Sequence, residues 1–170
     1  MATTKITDGA SYINSLRNRT LAVYVLGQKV DDIVDHPLIR PSINAVAATY
    51  DLAVSQPELA SVISPFTGER ISRFLHVCTS VEDMVNQGKM QRKLGQLTGT
   101  CFQRCVGMDA FNALYSTTFE LDEQHRTAYH GRFKAFLTEM HRGNFVVGGG
   151  MAAEKGERRV ALHQHIDPDM

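Results

Sequence analysis

Cys101-Phe-Gln-Arg-Cys105-Val-Gly-Met-Asp-Ala-Phe-Asn112 sets two thiols four residues apart inside a segment with helical spacing. Phe102, Val106, Ala110, Phe111 and Leu114 predict the buried stripe of a helix running from Thr100 to about Leu121. Residues i and i+4 of a helix lie one above the other, so on this reading both sulfurs face one point in space. That geometry suits two ligands of one metal centre. It suits a disulfide poorly, because bridged Cα atoms usually sit closer than one helical turn comfortably allows. Spacing alone leaves two readings open, a ligand pair or two small buried hydrophobes. A radical-SAM motif needs a third Cys at position 108, which is Met, and no ferredoxin C-x2-C is present. Gln103 and Arg104 keep the face beside the thiols from being purely apolar.

Working outward, helical spacing dominates on both sides. Thr7 or Asp8 is a candidate N-cap for a helix carrying Tyr12, Ile13 and Leu16. Ala22–Val25 and Gln28–Val30 flank Leu26-Gly27 and read as a small hairpin whose turn is not a strong type I′ signal. After two breaks, His36-Pro37 and Arg40-Pro41, Ser42 is positioned to cap a helix with Ile43, Val46, Ala47, Tyr50 and Leu52. Pro57 and Pro65 mark a loop-rich stretch with room for one short helix. Thr79 or Ser80 opens the next helix; Glu82 and Asp83 suit its first turn, and Gly95 and Gly99 predict a kink or a close helix contact. A further helix spans His125–His141, with Tyr129, Phe133, Phe136, Leu137 and Met140 as its apolar face and Gly143 as its C′ residue. Asn144–Val147 then reads as a strand, Gly148–Gly150 as a turn that brings backbone close to a ligand, and Val160–Leu162 as the start of a second strand. The expected architecture is mainly α: a helical domain over 1–143, then the start of a truncated β-domain over 144–170.

Composition bounds the function. The chain has 170 residues, enough to bury roughly 70% of its unfolded surface. Lys plus Arg and Asp plus Glu are 18 each, which argues against a polyanion-binding surface, so no nucleic-acid partner is expected. No apolar run approaches the roughly 20 residues of a membrane span. Three cysteines and no apolar leader point to a reducing cytoplasm rather than a disulfide framework. Cys78 stands alone and is expected in the core. The histidines have no mutual spacing that demands a metal. His163 and His165 read as surface or loop, and Lys155, Arg158 and Arg159 also fit a solvated charge run.

Tyr12–Arg17, His36–Asn44, Thr49–Ala53, Lys89–Arg92, Leu94–Gln96, Ser116–Thr118 and, above all, Cys101–Asn112 carry a family resemblance. From about Thr7 to its C-terminus the chain resembles the N-terminal part of the 4-hydroxybutyryl-CoA dehydratase/vinylacetyl-CoA Δ-isomerase family. That family is a branch of the wider 4-hydroxyphenylacetate 3-hydroxylase large-component family. The resemblance implies the N-terminal helical domain of an acyl-CoA dehydrogenase-like fold and covers about a third of such an enzyme. It implies FAD, a [4Fe-4S] cluster held by three Cys and one His, an acyl-CoA substrate and a homotetramer. Cys101 and Cys105 match two of the cluster ligands; the other two lie beyond Met170. Gln103 matches a polar residue near the substrate hydroxyl. Met151, Lys155, Gly156 and Arg158 match a flavin-lining segment in which Ala152, Ala153, Glu154 and Glu157 depart from the family residues. The implied reaction dehydrates 4-hydroxybutyryl-CoA to crotonyl-CoA by a flavin-assisted radical route, with the cluster as Lewis acid.

Two other functions compete. One is a flavin-dependent aromatic hydroxylase of the wider family, which needs no cluster. The other is a non-catalytic helical remnant or docking subunit. With half the cluster ligands and only part of the flavin site, the chain alone is expected to be inactive.

Overall fold

The computed structural model describes residues 4–17 and 19–149. Among these described residues six α-helices carry the fold: α1 Gly9–Arg17, α2 Arg40–Ser55, α3 Pro57–Ala60, α4 Val81–Thr98, α5 Cys105–His125 and α6 Tyr129–Gly143. Two antiparallel hairpins are set between them, β1 Val23–Val25 with β2 Gln28–Val30, and β3 Ser61–Ile63 with β4 Arg70–Ser72. A 3-10 turn, Arg73–Leu75, follows β4. The mainly helical class read from the spacing is the class observed, and no described helix is long and apolar enough to cross a membrane.

Local chemistry sets most boundaries. The Ser80 hydroxyl accepts the Asp83 N–H at 3.1 Å and starts α4, as expected. The close helix contact expected at Gly95 and Gly99 is not found, since a Cβ at either would meet nothing within 4 Å; α4 runs through Gly95 and ends at Gly99, whose φ of 61° makes the left-handed cap. Pro41 does not break the chain. It sits in the first turn of α2, where its missing N–H would go unpaired anyway, so the helix starts ahead of Ser42. The first hairpin turns through Leu26 and Gly27, both at positive φ, the type I′ pattern that twisted strands favour. The second hairpin lies where the sequence suggested only loop and short helix.

α1 packs on α2, α5 on α6, and α4 on the C-terminal part of α2 through α3. Tyr12, Val34, Ile43, Val46 and Tyr50 form one apolar cluster. Leu52, Phe74, Met90, Leu94, Phe102 and Met108 form a second. Ile71, Leu75, Phe111 and Leu137 form a third. The α5 stripe thus consists of Met108 and Phe111, while Val106 and Leu114 are exposed. Tyr129 and Phe136 of α6 are exposed as well, leaving Leu137 as its buried anchor.

Two expectations for the chain after α6 are corrected. Gly143 is the last helical residue and Asn144, at φ 49°, is the left-handed cap. Residues 144–147 are not a strand. Their polar groups are spent elsewhere: Phe145 N–H donates to the Met140 carbonyl at 3.1 Å, and the Asn144 carbonyl accepts the Tyr50 hydroxyl at 2.7 Å. With no ladder partner, Phe145 and Val146 pack into the first cluster instead. The second expected strand, Val160–Leu162, lies outside the described residues.

Candidate functional site

Between the Gly99 cap of α4 and the start of α5, five residues form a loop in which burial alternates. Phe102 and Arg104 are buried; Cys101 and Gln103 are exposed; Cys105, half-buried, is the first residue of α5. Phe102 is held by Phe74, ring centroids 5.4 Å apart. Arg104 turns inward at the N-cap position. Gln103 between them has φ 56°, a left-handed backbone that costs an L-residue about 1 kcal/mol. Cys101 and Cys105 therefore do not share one helix face as the spacing predicted. Two inward anchors delay the helix to Cys105, because burying the Phe102 ring and the Arg104 side chain on opposite sides of Gln103 is incompatible with continuous helical dihedrals.

Cys101 and Gln103 are exposed on the loop, and Cys105, half-buried, packs against the second cluster where α5 begins. Both thiols are free, and Gln103 N–H donates to Cys101 Sγ at 3.4 Å. No side chain caps the first turn of α5, whose helix dipole favours negative charge there. Two soft sulfur donors, one with a backbone hydrogen bond to it, form a set that fits an iron–sulfur centre. Among the described residues no cluster of three or more His, Cys, Asp or Glu is present, so this loop fits as half of such a set. Met151, Lys155, Gly156 and Arg158 lie outside the described residues.

The glycine run approaches the loop. A Cβ on Gly107 would run into the Val147 carbonyl, and one on Gly149 into the Val106 side chain. The backbone of 147–149 therefore lies directly on the first turn of α5, next to Cys105.

Arg104 is the residue the sequence reading undervalued. It is 1% exposed, and its guanidinium donates to Thr49 Oγ1 at 2.8 Å and to the Phe145 carbonyl at 3.3 Å. Its carbon lies 4.6 Å from the Tyr50 ring centre and 4.8 Å from that of Phe74, joining the first cluster to the second. Burial pulls its pKa down while the Tyr50 and Tyr12 phenols oppose that shift. Burial likewise pushes the Tyr50 phenol up to about 12 despite the guanidinium beside it. An arginine between two cysteines carries no sequence signal for burial.

Cys78 lies apart, half-buried, its thiol donating to Gln87 Oε1 at 2.8 Å. Burial raises its pKa and the nearby Asp83 adds to the effect. Burial also works against ionised Asp83, yet the Thr79 N–H, the His76 ring and the Ser80 hydroxyl outweigh it and hold the group at about 2.

The family described as 4-hydroxyphenylacetate 3-hydroxylase N terminal matches residues 8–170. The 4-hydroxybutyryl-CoA dehydratase/vinylacetyl-CoA-Δ-isomerase of Clostridium aminobutyricum is 46% identical over 162 residues, 94% of this chain and 33% of that protein. The solved structure of an oxygen-tolerant archaeal 4-hydroxybutyryl-CoA dehydratase from N. maritimus has a TM-score of 0.88 and 57% identity, covering 97% of this chain and 33% of its own. The helical body is thus that of an acyl-CoA dehydrogenase-like N-terminal domain. The oxygenase component of a 4-hydroxyphenylacetate 3-monooxygenase from Geobacillus sp. (strain PA-9) is 30% identical over 77 residues, 45% of this chain and 16% of that one. The chain spans about a third of the length of the dehydratases it matches.

Proposed function

Because the chain belongs to the 4-hydroxyphenylacetate 3-hydroxylase N-terminal family, we propose that it is the N-terminal portion of a flavin- and iron–sulfur-dependent dehydratase. The whole enzyme converts 4-hydroxybutyryl-CoA to crotonyl-CoA and also isomerises vinylacetyl-CoA. The observation that carries this reading is the loop before α5, with Cys101 and Gln103 exposed and Cys105 half-buried at its end. It sits in a chain whose likeness to dehydratases covers 94% of its length, against 45% for the oxygenase.

Cys101 and Cys105 are two of the protein ligands of a [4Fe-4S] cluster. Gln103, exposed between them, offers its amide to the leaving hydroxyl and orients it. When bound, the cluster supplies a Lewis-acidic iron and FAD supplies one-electron chemistry. FAD is assigned to the segment with Met151, Lys155, Gly156 and Arg158. The same reading divides the chain into a helical domain over 1–143 and the start of a β-domain over 144–170, the first residues of which pack on the helices. An acyl-CoA substrate, a homotetramer and a cytoplasmic site complete the reading, with neither nucleic acid nor membrane as partner. The 170-residue chain alone is inactive, since it carries two of four cluster ligands.

The test is the protein encoded by the complete reading frame, read past the Met170 codon and purified anaerobically. Crotonyl-CoA formed from 4-hydroxybutyryl-CoA, with iron, sulfide and flavin bound, is the expected result. Cys101→Ala and Cys105→Ala are each expected to lose iron and turnover together. FAD without iron, with hydroxylation of a phenol, would replace this reading with the aromatic hydroxylase.

A further inference from the structure

We propose that Arg104 is the positioning residue of the cysteine loop: its buried guanidinium pegs the loop to the helical core so that both thiols are held ready to share one thiophilic centre. The inference rests on the thiol-pair reading above and adds a residue that makes no contact with the centre itself.

Four observations carry it. Arg104 is 1% exposed, yet among the described residues its hydrogen-bond partners are a hydroxyl and a backbone carbonyl rather than a carboxylate. Its Nε has no hydrogen-bond partner among them. A buried cation is costly unless well compensated, and an apolar side chain of similar length would fill this space at less cost. Stability alone therefore does not account for an arginine here. What the guanidinium has that methionine or lysine lacks is a plane with forked donors. The plane lies between the Tyr50 and Phe74 rings, and the fork reaches Thr49 Oγ1 on α2 and the Phe145 carbonyl after α6. Three separate segments thus fix one side chain, and that side chain lies between the two cysteines in the chain. With Phe102 held by Phe74 on the other side, Gln103 takes a left-handed bend between the two anchors; Cys101 is exposed on one side of it, and Cys105, half-buried against the second cluster, opens α5 on the other.

The probe is phenylarsine oxide, a trivalent arsenical that condenses with two thiols. Two As–S bonds form, the arsenic–oxygen bond is lost, and the oxygen leaves as water with both thiol protons, without redox change. The full 170-residue chain is used with Cys78→Ser, so that only the pair remains. One equivalent is expected to bind, and Cys101→Ser is expected to weaken binding about a hundredfold by leaving one thiol. Arg104→Met is expected to weaken it about tenfold in a chain that still melts cooperatively, because preorganisation of the two sulfurs is lost. A peg that merely stabilised the fold would lower the melting temperature and leave the arsenical affinity of the folded chain unchanged. That outcome overturns the proposal while sparing the thiol pair. Equal binding by the parent and Cys101→Ser, or none by the parent, overturns the pair and this proposal with it. Should Arg104→Met fail to fold, Thr49→Val removes one anchor of the fork. A loss of about threefold is then expected, and unchanged affinity overturns the role.

Discussion

Asn144 and Gln103 both hold a left-handed backbone without being glycine, at φ 49° and 56°, and they do so under opposite conditions. Asn144 is buried in a closed polar knot. Its Oδ1 accepts the Ser72 N–H at 2.8 Å, its Nδ2 donates to the Ile6 carbonyl at 2.8 Å, and its carbonyl accepts the Tyr50 hydroxyl at 2.7 Å. The next turn inward is just as complete. Ser64 Oγ accepts two backbone N–H groups and so donates to His141 Nδ1, while His141 Nε2–H donates to the Leu75 carbonyl at 2.9 Å. That assignment makes His141 neutral. Gln103, by contrast, is exposed, and its bend is imposed by its neighbours Phe102 and Arg104 rather than by its own side chain. A knot in which every polar group of Asn144 itself is paired stabilises the fold. The loop at Gln103 instead buries its two anchors and leaves Cys101 and the Gln103 amide exposed.

The comparison breaks first at Asn144. Asn144→Ala leaves the Ser72 N–H and the Ile6 carbonyl unpaired in the interior and puts a Cβ-only residue in the left-handed region. It is expected to cost about 3–4 kcal/mol, read as a lowered urea midpoint. Gly107→Ala comes next, at about 2 kcal/mol, because its Cβ meets backbone at Val147 rather than a side chain able to swing away. A Gly107→Ala chain as stable as the parent would show that the 147–149 backbone is not held against α5.

His141 gives a pH test of the closed region. Burial lowers its pKa below the ordinary value; the Leu75 carbonyl opposes this and the nearby His76 reinforces it. The unfolded chain then binds a proton that the folded chain refuses. Stability should fall as pH drops through about 6.5 and level off below the depressed folded value. Urea midpoints between pH 8 and pH 5 measure the slope, which His141→Gln should flatten. Asp83 does not interfere: held at about 2, it loses its contribution only as pH falls from about 4 toward that value. The smallest effect is expected at Gln103→Gly, which relieves the left-handed bend and should leave stability unchanged or raise it by up to about 1 kcal/mol. A clear loss of stability there would mean that the open loop is as much part of the fold as the knot.

Much of the helical body was legible because its signals are local. Tyr12 and Leu16, or Ile43, Val46 and Tyr50, repeat with the helical period, Ser80 caps its own helix, and Leu26-Gly27 turns its own hairpin. The β3–β4 hairpin was missed because Arg70, Ile71 and Ser72 gain strand geometry only by pairing with Ser61–Ile63 across the turn. At the site, the placement of Cys101 and Cys105 on one helix face was wrong, because α5 begins only at Cys105.

The sequence by itself determined the helical class and the family membership, since periodicity, caps and motif residues act over a few positions. Only the tertiary structure decided where α5 begins, what Asn144–Val147 pairs with and that Arg104 lies inside. Each of those outcomes depends on groups far away in the chain: Thr49, Tyr50 and Phe74 for the arginine, Ile6 and Ser72 for the asparagine. A backbone that must satisfy buried hydrogen bonds and fill space with distant partners gives up the helix or strand that its own residues would prefer.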